Sequence, residues 1–409
     1  MSPVKTAPVA LTAGDAALRA QYLAEVLALL YPKPCATDGS AGPVIAEYLV
    51  VPDARRPRLL VPTLTRRVAA AAVRRYAEPQ SRTARLKRDV VVAALRTGAS
   101  TMLLRDRVRV TGPLSASIDG YLTEALGREL AVSIHIGPAR ANRKPVLQLI
   151  DPGGDTFGFG KLGTGPLTQR LVRAETAALT ALGAGGLNRL TVPRVLHAGQ
   201  WRGVQVLVQS ALPVWLPRAQ LRPGRLLAAM LEVAGCCGFT TSTLGGGAYW
   251  KDLQARLAPL RDRPDGVALA TAAERLVGQR ADTVMRYGAW HGDWAPWNMA
   301  NLADALLVWD WERFASGVPV GFDAVHHDLQ RRLQSSADAA GAVEATVRRA
   351  VELLRPFGVP AEAGELTALL YLVDLAVRYL TDRQAEAGAR LGVLGTWLLP
   401  VLIRRVEEL

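Results

Sequence analysis

Cysteine is scarce in this 409-residue chain: Cys236 and Cys237 are adjacent, and Cys35 lies about two hundred positions upstream. That spacing cannot support a disulfide framework and points to a reducing compartment. Long apolar runs are also missing. The nearest case, Leu391 to Ile403, falls short of the roughly 18–20 residues of a membrane span. Gly395, Thr396 and Pro400 interrupt it, so it reads as a buried terminal helix. Met1 to Ala20 carries one lysine and an apolar stretch broken by Asp15, which does not read as a secretory signal. A cytoplasmic protein with no membrane span is expected. Lysine is rare too, confined to positions 5, 33, 87, 144, 161 and 251. Any chemistry that needs an ammonium therefore has few candidates.

What the chain does have is apolar bulk and positive charge. Half of its residues are hydrophobic and 21% are charged, which excludes disorder as the dominant state. The length suggests two or three structural units. The formal net charge is +13. Between Arg55 and Arg109 there are fifteen basic residues against three acidic ones, so nearly the whole excess sits in one stretch. Such a field can attract phosphates, nucleic acid or an anionic surface. Tyr76 is the one aromatic residue among those arginines, which weighs against a surface that stacks single-stranded bases. Solvated, arginine-rich helices are the simpler reading.

The hydrophobic pattern predicts a helix over 13–31, strands at Val44 to Val51 and Arg58 to Val61, helices over 65–77 and 81–97, and a strand at Val108 to Thr111. From about residue 130 the texture changes. Strands are expected at Ala131 to Ile136, Pro145 to Ile150 and Thr156 to Lys161, then a helix over 166–182. Two further strands bracket Gly199, at Arg194 to Ala198 and Gly203 to Gln209. Beyond Pro213 the chain reads as mainly helical, with irregular structure around 290–325. Strands with one helix followed by a larger helical half suggest two lobes.

The chemically informative stretch is Trp290-His-Gly-Asp-Trp-Ala-Pro-Trp-Asn-Met-Ala300, followed by Leu306-Leu-Val-Trp-Asp-Trp-Glu312. Transfer of a phosphoryl group from a nucleotide requires little covalent chemistry of a protein: it must position a hydroxyl and neutralise phosphate charge. One carboxylate must face the attacking hydroxyl. Another must hold magnesium, a hard ion that prefers oxygen. His291-Gly-Asp293, Asn298 five residues after the first carboxylate, and Asp310 at the end of an apolar run supply these groups in order. Five of the nine tryptophans, at 290, 294, 297, 309 and 311, crowd the same segment and are expected to pack around the loop.

This region resembles the aminoglycoside phosphotransferase and choline kinase-like family, relatives of protein kinases. The loop of that family reads His-Gly-Asp, four residues, Asn, and its metal-binding strand commonly ends Asp-Trp-Glu. The resemblance covers roughly 130–400. It implies an α+β, bilobal protein kinase-like fold. A small antiparallel-sheet N-lobe with one main helix would bind nucleotide over 126–210. A larger, mainly helical C-lobe over 211–409 would carry catalysis and the acceptor. Residues 1–125 lie outside the resemblance and read as a basic N-terminal extension, helices and a hairpin, packed on the N-lobe. By the same resemblance Asp293 is the catalytic base, while Asn298 and Asp310 are magnesium ligands. His291 is a scaffold residue and Asp323 a buried brace for the loop. Lys161 is the expected phosphate cation with Glu175 as its partner. The linker Val208 to Pro213, through Gln209 and Ala211, would present main-chain groups to the base of ATP or GTP.

Two glycine-rich matches fail on their own terms. Gly158-Phe-Gly-Lys-Leu-Gly163 fits a dinucleotide pattern, but using it as the nucleotide loop leaves no lysine until 251. Gly154 to Lys161 approximates a phosphate-binding loop, yet it is one residue too long. Leu162 also stands where the magnesium-binding hydroxyl belongs. The turn Gly137 to Lys144 is the expected cover for the phosphates. Cys236-Cys237 lacks metal-ligand spacing and reads as core, His135 and His197 as strand residues. His326 and His327, being adjacent on a helix, should face different ways.

Charge filters the acceptor. Residues 211–290 hold ten basic residues against six acidic ones, and 313–409 hold eleven against twelve. A polycationic antibiotic would require a carboxylate-lined pocket, so a neutral or anionic sugar-like hydroxyl compound is favoured over an aminoglycoside. A catalytically silent kinase-like binding module is the alternative from a different class.

Overall fold

The computed structural model describes residues 13–40, 42–74, 82–98, 104–137, 143–386 and 391–409. The chain divides into two compact units. The first takes in residues up to 137, 143–169 and 196–211; the second takes in 170–195 and 212–409. The fold is mixed α+β.

In the first unit the chain runs through α1 (Ala13–Leu30), β1 (Val44–Val51), β2 (Leu59–Pro62), α2 (Arg66–Arg74), α3 (Arg82–Thr97), β3 (Arg107–Thr111) and α4 (Ile118–Leu126). It continues through β4 (Ala131–His135), β5 (Val146–Ile150) and β6 (Thr156–Gly163). After α5 (Pro166–Gly185), most of which counts with the second unit, it returns for β7 (Val195–Trp201) and β8 (Val204–Ser210). All the strands join one eight-stranded sheet in the order β3-β1-β2-β4-β5-β6-β8-β7. The N-terminal strands are therefore part of the same sheet as the strands after residue 130. Successive side chains of a strand point to opposite faces, and β1 shows it. Tyr48 and Val50 join a core with Tyr22 and Leu30 of α1 and Leu122 of α4. Leu49 joins a second core with Val68 and Ala72 of α2 and Leu95 of α3. The helix α4 follows a short 3₁₀ turn and starts at Ser117, whose hydroxyl caps it by accepting from the Gly120 N–H.

The second unit contains α6 (Pro223–Gly235), α7 (Ala248–Leu257), α8 (Pro264–Arg280), α9 (Phe322–Ser335), α10 (Ala339–Arg348), α11 (Ala350–Leu354), α12 (Ala361–Thr381) and α13 (Leu399–Glu407). The helix α12 is apolar nearly all round. Leu366 to Val377 is buried without interruption, as befits a helix enclosed by others. The stretch expected to be irregular is more ordered than its sequence suggests. The strands β9 (Thr240–Thr243), β10 (Val284–Trp290) and β13 (Ala315–Pro319) form a sheet in the order β13-β10-β9, and β11 (Met299–Asn301) pairs with β12 (Leu306–Val308). Cys236 and Cys237 are exposed rather than core, because α6 ends at Gly235 and they occupy the turn after it. The tail from Leu391 is only partly helical; α13 begins at Leu399, and Trp397, Leu398 and Leu402 are buried. Among the described residues no helix is long and apolar enough to cross a membrane.

Candidate active site

The strand β10 ends at Trp290 and delivers His291, Gly292 and Asp293 as a tight loop. Gly292 has φ +81°, and a Cβ there would sit 2.2 Å from the Arg313 carbonyl oxygen, so only glycine fits. Asp323, at the start of α9, braces the loop from below. Its Oδ2 accepts the His291 N–H at 2.7 Å and its Oδ1 the Gly292 N–H at 3.2 Å. Burial pushes the Asp323 carboxyl up to about 7, against those two N–H groups, which favour the anion. Arg378 of α12 holds the other side, its Nη1 donating to the Gly292 carbonyl at 2.6 Å.

The His291 ring is fully buried and bridges two segments. Its Nδ1 accepts the Asp293 N–H at 3.1 Å, which leaves Nε2 to donate to the Trp309 carbonyl at 3.0 Å. Burial lowers His291 to about 4, outweighing the Asp293 charge and the Trp309 carbonyl, which favour the cation. A neutral, doubly committed imidazole ties the loop to the residue before Asp310 and has no nitrogen left to act as a base.

Asp293 keeps about a third of its side-chain surface open (32%), enough for another molecule to reach it. Asn298 is buried, its Nδ2 donating to both the Asp293 carbonyl and Oδ2 at 2.9 Å. Two further groups approach Oδ1. His326 Nε2 lies at 3.2 Å, close enough to attract although its N–H is not aligned as a hydrogen bond, and Arg378 Nη2 lies at 3.8 Å. Burial would raise the Asp293 carboxyl. The His326 ring and the Arg378 guanidinium hold it well below the usual carboxylate range. It is an anion at any working pH.

The backbone links Asn298 to the second motif, since the Trp309 N–H donates to the Asn298 carbonyl at 3.0 Å. Asp310 follows with φ +70° and ψ +54°, a left-handed conformation that is uncommon for a residue with a side chain. The turn turns its carboxylate toward Glu312 and toward Glu175 of α5. Ligand oxygens of the three residues all lie within 4.8 Å of one another. Three hard oxygen donors so close together suit a divalent cation such as magnesium. Asn298, with its amide nitrogen committed to Asp293, has its Oδ1 as a further candidate donor.

The remaining sequence candidates are placed as follows. Lys161 lies inside β6, which runs on to Gly163, and is buried there. It belongs to the first unit, whereas Glu175 belongs to the second. Gln209 lies buried in β8, backbone-paired opposite Phe159, with its side-chain Oε1 unpartnered. The Ala211 N–H is already engaged by the Phe157 carbonyl at 2.9 Å. Of the turn Gly137 to Lys144, residues 138–142 lie outside the described residues. Trp294 and Trp311 are fully buried around the loop and Trp290 nearly so, but Trp297 is 44% exposed and packs less than expected. His135 and His197 are strand residues, in β4 and β7.

Sequence reasoning did not assign Glu312, His326 or Arg378 to the site. Glu312 stood within the quoted Asp-Trp-Glu, two residues after Asp310. His326 three residues after Asp323 places both on one face of α9. Nothing in the sequence marks Arg378.

A cavity of about 540 Å³ opens beside this loop, lined by Trp290, Arg313 and Arg378 together with Asp252, Asp374 and Asp382. Each carboxylate already has a cationic partner. Arg256 reaches Asp252 at 2.7 Å and Asp374 at 2.5 Å, and Asp382 is paired with Arg313 and, at 3.9 Å, with Arg170.

No protein-family model matches the sequence, and no curated protein is significantly similar to it. Among solved structures, the chain is similar to a putative fructosamine-3-kinase from Haemophilus somnus 129PT. That match has 13% identity, covers 71% of this chain and 96% of the other, and has a TM-score of 0.41. It is also similar to a putative fructosamine-3-kinase from Thermobifida fusca YX-ER1, with 18% identity, 73% and 100% coverage and a TM-score of 0.42. A thermostable mutant of the aminoglycoside phosphotransferase APH(4)-Ia gives 17% identity, 70% and 99% coverage and a TM-score of 0.44.

Proposed function

We propose that the protein transfers the γ-phosphate of ATP or GTP to a hydroxyl of a small, neutral or anionic sugar-like molecule, with magnesium. The observation that supports this most is the pairing of two unlike carboxylate environments in one compact unit. Asp293 is a single, partly open anion held by His326, Arg378 and Asn298. Asp310, Glu175 and Glu312 form a cluster of oxygens. The first suits a group that orients an acceptor hydroxyl and takes its proton late, when phosphoryl transfer has made that proton acidic. The second suits magnesium, which when bound would offset phosphate charge. Lys161 is proposed as the phosphate cation, with Gln209 and Ala211 bordering the nucleotide base.

The acceptor class follows from the cavity. Its carboxylates are neutralised by the chain's own arginines, so a polycation entering it would meet no uncommitted anion and four guanidiniums. Hydroxyl-rich neutral or acidic compounds meet no such penalty. The test is nucleotide consumption by the full chain with magnesium against hexoses, sugar acids and aminoglycosides. Turnover with a neutral or acidic hydroxyl compound is expected. Efficient turnover restricted to aminoglycosides would overturn the acceptor reading, and nucleotide binding without turnover on any acceptor would favour the silent binding module.

A further inference from the structure

Part of the basic excess of the first unit gathers around one hollow. On α2, Arg67, Ala71 and Arg74 fall at i, i+4 and i+7 and form a single stripe. Arg96 joins them from α3, and the Gly153-Gly154-Asp155 turn between β5 and β6 closes the other side. These residues line a hollow of about 310 Å³, with the small Ala71 leaving space between the two α2 arginines.

The turn is built to lie against Arg67. Asp151 fixes it by accepting the Gly154 N–H on its carbonyl at 2.9 Å and the Asp155 N–H on Oδ1 at 2.8 Å. Gly154 has φ +87°, and a Cβ there would stand 2.6 Å from Arg67 Cγ. Glycine lets the turn clamp the arginine stem and so restricts where its guanidinium can go.

The electrostatics are unbalanced. Several arginines elsewhere meet carboxylates, as Arg349 meets Asp328 and Glu352. Among the described residues, none of Arg67, Arg74 and Arg96 has an ion-pair partner. Three like charges around one concavity raise its potential and repel one another, a cost that an arriving anion would remove. Among the described residues three guanidiniums line the hollow with one carboxylate, that of Asp155, an excess of positive charge that suits a phosphate group. The planar Arg fork is shaped to bind its oxygens.

We propose that this hollow is a binding site for a phosphate group, free or carried on a small molecule. The enclosed volume sits at the small end of ligand pockets, and among the described residues no aromatic side chain lines it to stack a base. Both features favour a compact phosphate compound over a running nucleic-acid strand. The site uses residues of the first unit alone and does not depend on the catalytic reading.

The experiment is calorimetric titration of the full chain, without magnesium and at low salt, with inorganic phosphate and with a hexose phosphate, the free hexose serving as control. Saturable binding of the phosphate compounds is expected. The Arg67→Ala/Arg74→Ala/Arg96→Ala variant should lose that binding by at least about tenfold, with nucleotide turnover unchanged. Its ligand-free melting temperature should hold or rise, because repulsion is relieved; a purely structural role for these arginines would lower it. Binding by inorganic phosphate and hexose phosphate alike makes phosphate itself the ligand, and binding by hexose phosphate alone makes the carrier part of the recognised molecule. Absence of phosphate binding up to about 10 mM, or binding unchanged in the variant, would overturn the proposal. Steeply salt-dependent association with a 30-nucleotide DNA, without saturable phosphate binding, would overturn it in favour of a nucleic-acid surface.

Discussion

At the scale of single residues the site separates two carboxylate roles by environment. Asp293 is flanked by cationic and hydrogen-bonding groups, whereas Asp310 stands among other carboxylates. Their removal should therefore fail differently. Asp293→Ala is expected to keep the fold and nucleotide binding while turnover falls by about 10²–10⁴-fold; turnover at the wild-type rate would eliminate it as the base. Asp310→Ala should instead abolish most of the magnesium-dependent rise in melting temperature that nucleotide produces. An unchanged ligand-induced shift would remove Asp310 from the metal site.

At the scale of elements, the loop after β10 depends on α9 and α12, which contribute Asp323 and Arg378 from opposite sides. Asp323→Asn retains the shape but cannot accept both N–H bonds, leaving one buried donor unmatched at a cost of about 1–3 kcal/mol. A lower melting temperature with a reduced kcat and a nearly unchanged nucleotide KM is expected. Steady-state kinetics showing the opposite split would deny the bracing role. This dependence explains what could be read from the sequence. His291 to Asn298 and Leu306 to Glu312 are short contiguous segments whose chemistry survives as spacing, and β1 coincides with its apolar pattern at both ends. The small sheet did not announce itself. Thr240–Thr243 is four exposed or half-buried polar residues with no alternation to detect, and it exists because β10 offers it an edge. Arg378 reaches the site through tertiary packing, which leaves no local trace, and Glu175, expected beside Lys161, meets Asp310 and Glu312 by the same long-range route.

For the whole molecule, all five histidines are pushed below their ordinary value, chiefly by burial, with His135, His291 and His327 at about 4. Between pH 6.5 and 4 the unfolded chain therefore takes up protons that the folded chain refuses, and stability falls as pH falls. Asp119 and Asp323, raised to about 6 and about 7, act in the opposite sense, because the folded state is the one that protonates first. The histidines outnumber them. Each unmatched proton is worth about 1.4 kcal/mol per pH unit. Calorimetric melting at pH 7.5, 6.5 and 5.5 should show a falling transition temperature, and a flat or rising trend would contradict this balance. The shared eight-stranded sheet carries a different consequence. The strand β4 is hydrogen-bonded to β2 through Leu59 opposite His135 and Leu60 opposite Ile134. A chain shortened to begin at residue 126 would leave that side of β4 bare and uncover Val132 and Ile134. Such a fragment would present a sticky ribbon to its own copies and should precipitate instead of yielding a minimal enzyme.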